Sequence, residues 1–93
     1  MKTLGLDMGE KRIGVAVSDD DGQIAMPATT LAGDKLPAEV IADILDLARR
    51  YDAEKMMLTA GVKRHRRRQN IDKVAATLIL QSYLDAHADD EAD

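Results

Sequence analysis

Two carboxylates in this chain stand where chemistry is worth asking about. Asp7 ends the apolar run "TLGL" just ahead of the glycine turn "MGEKR", and Asp72 falls in the first turn of "IDKVAATLILQSYL", a segment with helical patterning. A charge delivered to the inner end of a buried strand is costly unless something holds it. The candidates for Asp7 are a hydrogen-bonding backbone turn, Lys11 or Arg12, or a metal ion. If the last helix packs on the sheet, Asp7 and Asp72 can converge on one divalent cation, a hard ion that takes oxygen ligands. Asp72 also has a plainer reading, because an acid in a first helical turn complements the helix dipole without any ligand. For Asp7 an Asx-type turn is the plainer reading, but it does not explain why the apolar strand, rather than the loop, carries the acid.

The second chemical feature is "KRHRRR" at 63–68, where Lys63, Arg64, Arg66, Arg67 and Arg68 place five bases in six positions. Such a cluster fits a polyanion, and equally a solvated loop balanced by acids elsewhere. The other polar residues read structurally. Glu10 and Asp19 to Asp21 are turn acids, and Ser18 is a strand-end hydroxyl with no activating partner at a suitable spacing. His65 and His87 have no second histidine at metal-ligand spacing. Gly5, Gly9 and Gly14 lead into a hairpin rather than a helix, so they form no dinucleotide fingerprint and instead permit a close turn and close packing around Asp7.

The elements that must position these residues begin with an antiparallel meander. β-compatible runs at about 3–7, 12–18 and 24–30 are separated by "MGEKR" and "DDDG", which carry turn chemistry. Pro27 places the third run at a sheet edge or breaks it. Pro37 opens a helix over 37–51, with Val40, Ile41, Ile44, Leu45, Ala48 and Tyr51 as its apolar stripe. "AEKMMLTA" at 53–60 predicts a second, short helix, capped by Asp52 and stopped by Gly61, because its residues are good helix formers and only Thr59 is β-branched. Asn70 then caps a helix over 71–85 that turns Ile71, Val74, Ala75, Leu78, Ile79 and Ser82 to one face.

Composition bounds these readings. Ninety-three residues, 45% hydrophobic and 32% charged, make one small folded domain over 1–88 with a largely aliphatic core. The absence of cysteine excludes disulfides and thiolate metal sites. No apolar run is long enough to cross a bilayer, and no secretory segment opens the chain, so a soluble cytoplasmic protein is expected. Residues 1–88 hold 13 acids and 13 bases, and the net charge of −4 comes from the acidic end at 89–93, which is expected to be disordered.

Two longer segments bring a resemblance. "LGLDMGEKRIGVAVSDDDGQIAMP" at 4–27 and "AEKMMLTAGVKRHRRRQNIDKVAATLILQSYLD" at 53–85, together 57 of 93 residues, closely resemble the YqgF family. These are Holliday-junction-resolvase-like nucleases with a ribonuclease H-like fold, associated with processing of the 5′ end of pre-16S rRNA. The resemblance implies a truncated ribonuclease H-like α/β fold and a two-metal phosphodiester hydrolase that uses Mg2+ or Mn2+. It implies a metal-binding, catalytic role for Asp7 and Asp72. It also implies backbone contacts to structured RNA or branched DNA from Lys11, Arg12 and the 63–68 run, with salt-sensitive, largely sequence-independent affinity.

The family's further strand ending in "GLP", its connecting helix and its strand leading to "DER-x-T" have no counterpart here, so its middle carboxylates are missing. "YDAEK" resembles the approach to the missing strand, and "AEKMMLTAGVKR" the approach to the last helix. In the family's sheet the first strand lies between the second and the fourth. Loss of the fourth is therefore expected to leave the first strand with an open edge, covered by the 53–60 helix or paired with a second copy in a homodimer.

Overall fold

The alternation around "MGEKR" and "DDDG" folds as the meander that the sequence predicts. In the computed structural model, which describes residues 1–60 and 69–88, the elements are β1 (Lys2–Met8), β2 (Arg12–Ser18), β3 (Ala25–Ala32), α1 (Pro37–Arg50), β4 (Ala53–Ala60) and α2 (Gln69–Ala86). They build an α/β fold around one four-stranded sheet in the order β3-β2-β1-β4. β1 pairs antiparallel with β2, and β2 antiparallel with β3. Pro27 sits on the edge strand β3, where its missing amide costs no ladder bond, beside a bulge between Val15 and Ala16 of the partner strand.

The 53–60 segment corrects the expected helix. It is a strand, running parallel to β1 with register from Thr3 opposite Lys55 to Met8 opposite Ala60. Helix propensity is a weak prior spread over tenths of a kcal/mol per residue, whereas the second side of β1 offers a full row of backbone partners. The expected open edge on β1 is thereby corrected as well, since β4 occupies it and β1 lies between β2 and β4 as the family's sheet requires.

The central strands are buried on both faces, and the two helices lie on opposite sides. Leu4, Leu6, Ile13, Val15 and Val17 form one core with Val40, Ile44 and Leu47 of α1. Ala16 forms the other with Ala76, Leu80 and Leu84 of α2, against which Met57 and Ala25 pack. Both helices are rotated from the expected stripes. On α1, Leu47 is buried while Ile41 and Leu45 are exposed. On α2, Val74 and Leu78 face solvent and the buried row is Ala76, Leu80 and Leu84.

The element ends also differ in part from expectation. Pro37 does open α1, and the Glu39 side chain accepts a bond from the Leu36 amide at 3.4 Å. Asp52 does not cap a helix. It follows the last turn of α1 at φ 55°, the left-handed conformation that ends a helix, and its amide donates to the Arg49 carbonyl at 3.2 Å. α2 begins at Gln69, so Asn70 is inside it rather than at its cap. Gly61 and the acidic end at 89–93 lie outside the described residues. Among the described residues, no helix is long and apolar enough to cross a membrane.

Candidate nucleic-acid processing site

The site is built on the end of β1. Side chains alternate along a strand, so Thr3, Gly5 and Asp7 share the face opposite to Leu4 and Leu6, and this is the face that α2 covers. Gly5 fixes how closely: a Cβ built on it would lie 3.0 Å from the Cβ of Leu80. Glycine therefore makes a seat for Leu80 and draws α2 down onto β1. Asp7, two residues further along, is 4% exposed. Its register neighbours on the same face are Gly14 of β2 and Thr59 of β4.

Asp72 belongs to the first turn of α2, four residues before Ala76 in the sequence. The fold puts the Asp7 carboxylate on the α2 face of β1, whereas the Asp72 side chain lies outside the described residues. Among the described residues there is no group of three or more His, Cys, Asp or Glu that could hold a metal ion. The described acids therefore do not make a two-metal centre.

The hairpin after Asp7 is held by backbone contacts that demand glycine. The Gly9 amide donates to the Arg12 carbonyl at 3.0 Å, and a Cβ on Gly9 would meet that oxygen at 2.6 Å. Gly33, just past β3, donates to the Lys11 carbonyl at 2.8 Å, and a Cβ there would fall 2.8 Å from the Gly9 carbonyl oxygen. This double backbone clasp fixes the turn that carries Lys11 and Arg12, both exposed, at the end of the sheet where Asp7 lies. Lys63, Arg64, Arg66, Arg67 and Arg68 lie outside the described residues.

At the opposite end of β1, Ser18 is a structural hydroxyl, as expected. It accepts a bond from the Thr3 amide at 2.7 Å and donates to the Asp19 carbonyl at 3.0 Å. Asp19 closes the second hairpin, accepting from the amides of Gln23 and Ile24 at 2.8 and 3.2 Å, and these bonds hold its carboxyl below the usual carboxylate range. His87 stacks on Tyr83 at the end of α2 with ring centroids 4.2 Å apart. Sequence reasoning did not place Thr59 beside Asp7, because a segment read as helix cannot be assigned a strand neighbour. The signal available was its β-branched side chain just before the chain turns towards the basic run.

Comparison with known proteins identifies a family. The family model described as "RuvX: Holliday junction resolvase" matches residues 1–58 and again 51–86. Residues 51–58 fall in both matches.

A protein of Lactococcus lactis subsp. cremoris named "Putative pre-16S rRNA nuclease" is 31% identical over 137 residues, covering 94% of this chain and 96% of that protein. A protein of the same name from Myxococcus xanthus is 32% identical over 141 residues, covering 100% of this chain and 93% of that one. These alignments are longer than the 93-residue chain itself, so the relatives carry a stretch for which it has no counterpart. A solved structure of T. thermophilus RuvC with a Holliday junction substrate is 15% identical, with a TM-score of 0.47, and the match covers 90% of this chain and 59% of that one. With its meander, its parallel fourth strand and both family matches in place, this chain belongs to the RuvX Holliday junction resolvase family.

Proposed function

We propose that this protein is a metal-dependent nuclease of structured nucleic acid, acting in the cytoplasm, with the 5′ end of pre-16S rRNA as its leading substrate and branched DNA as the second. The observation that carries the reading is the buried Asp7 carboxylate on the α2-covered face of β1, in a chain about as similar to named pre-16S rRNA nucleases as 31% and 32% identity. Asp7 and Asp72 would hold the cation, Mg2+ or Mn2+. A divalent cation bound there supplies Lewis-acid polarisation of the scissile phosphate.

The chain's own residues do the remaining work. Asp7 is fixed by strand pairing on both sides of β1, so its carboxylate is presented without the entropic cost of ordering a loop. The hairpin clasped by Gly9 and Gly33 holds Lys11 and Arg12 beside it, where they neutralise backbone phosphate and fix the register of the nucleic acid without reading its sequence. The basic run 63–68 that follows β4 in the sequence is assigned the same phosphate-neutralising role.

A second reading, a non-catalytic nucleic-acid-binding member of the family, is favoured by one observation: the relatives carry a stretch for which this chain has no counterpart, the stretch in which the resemblance locates the family's middle acids. One experiment decides between them. The purified protein and its Asp7→Asn variant are incubated with pre-16S rRNA and with a four-way DNA junction, with and without Mn2+. Metal-dependent cleavage by the wild type alone supports the nuclease. Salt-sensitive binding by both proteins, without cleavage by either, supports the binding protein.

A further inference from the structure

The two edges of the described sheet are treated very differently. β3 carries Pro27 and faces a bulge in its pairing, two devices that blunt a strand edge against further pairing. β4 has neither. Its pairing with β1 is regular from Lys55 to Ala60, it contains no proline, and its only charges are Glu54 and Lys55 near its start. Its apolar side chains are also left open. Leu4 and Leu6 are buried under α1, yet Met56 and Leu58, their register partners on the same face, are 44% and 60% exposed. β4 is the last strand of the described sheet and forms one of its two edges.

We propose that β4 is a self-pairing edge, joining antiparallel to β4 of a second copy across a two-fold axis through Met57. The sequence of the strand selects that register. Both copies keep the same face towards α1 only if residues of equal parity lie opposite one another. An axis at Lys55 sets two ammonium groups against each other, and an axis at Met56 sets Glu54 against the partner's Leu58 and Lys55 against the partner's Met57. An axis at Leu58 leaves only the end of the strand paired. The axis at Met57 places Met56 opposite the partner's Leu58 on one face and Met57 opposite the partner's Met57 on the other, while Lys55 meets the partner's Thr59. No like charges face each other, and the exposed apolar pair of each copy covers that of the other. The result is one continuous sheet across the pair, with no open edge on β4.

The test uses the full chain. Sedimentation velocity over a concentration series is expected to show a monomer–dimer equilibrium. Because the chain has no cysteine, Met57→Cys introduces a single thiol that lies opposite itself only in this dimer, where the Cα separation of about 4.5–5.5 Å permits a disulfide. Oxidised Met57→Cys should therefore run as a covalent dimer, whereas Asp46→Cys, on an exposed part of α1, should not. Leu58→Lys alters an exposed side chain, should retain the wild-type circular dichroism, and should weaken association by about tenfold or more. A folded wild type that stays monomeric throughout would overturn the proposal. So would a dimer that Leu58→Lys leaves unchanged, even if Met57→Cys did not fold well enough to be read.

Discussion

Asp7 of β1 and Thr59 of β4 are register neighbours in a parallel pair, side by side on the sheet face that α2 covers. Asp7→Asn keeps the shape and burial of the side chain but removes the charge that would hold a cation. The expected outcome is a folded protein whose metal-dependent cleavage falls on the order of 100-fold or more. Steady-state cleavage of the rRNA precursor, with circular dichroism as the folding control, measures it. Thr59→Val, which keeps the shape without the hydroxyl, should retain the fold, and a fall in cleavage by it would add Thr59 to the site.

Gly5 and Leu80 form the tightest contact between sheet and helix, and they should behave as a pair. Gly5→Ala pushes a methyl to 3.0 Å from the Leu80 Cβ, so it should cost about 1–3 kcal/mol through overpacking. Leu80→Ala empties a fully buried position and should cost about 2–5 kcal/mol. Because the second change clears the space that the first one needs, the double variant should lose less than the sum of the two. Urea denaturation of the four proteins gives the coupling energy directly.

Asp52 holds a left-handed backbone where the chain leaves α1 for β4, with φ at 55°. Glycine takes that conformation without steric cost, so Asp52→Gly should change stability only slightly, towards a gain of up to about 1 kcal/mol. Asp52→Val should destabilise by roughly 1–2 kcal/mol, since a β-branched side chain is strained there. Thermal unfolding of both variants tests the order, and an Asp52→Val protein as stable as the wild type would contradict it.

Asp19 links stability to acid pH. The amides of Gln23 and Ile24 favour its charged form, so its folded-state value lies below the ordinary 3.8. The carboxylate therefore contributes stability that is fully present above 3.8 and is lost as pH falls through the lower folded value. Asp19→Asn lacks this contribution at every pH. The Tm difference between wild type and Asp19→Asn should be constant near neutrality and should shrink below pH 3.8.

Much of this molecule was written in local pattern. The alternation in "TLGLD" and "RIGVAVS", the turn residues between the strands, Pro27 at an edge and Pro37 at a helix start were each enough to place β1 to β3 and α1, because each acts through its nearest neighbours in the chain. The acid at the end of β1 and the clustered bases were equally plain.

Long-range packing decided the rest. "AEKMMLTA" carries helix-forming residues, yet it became a strand because the second side of β1 needed backbone partners, a demand made from some fifty residues away in the chain. α2 is apolar at many positions around its circumference, so its sequence did not specify which side turns inward. The seat left by Gly5 chose Leu80, and with it the row of Ala76 and Leu84. The sequence by itself determined the ancestry, the meander and the identity of Asp7. Only the tertiary structure decided that Thr59 stands beside Asp7, because strand register depends on which edge is free to be paired rather than on any property of the strand alone.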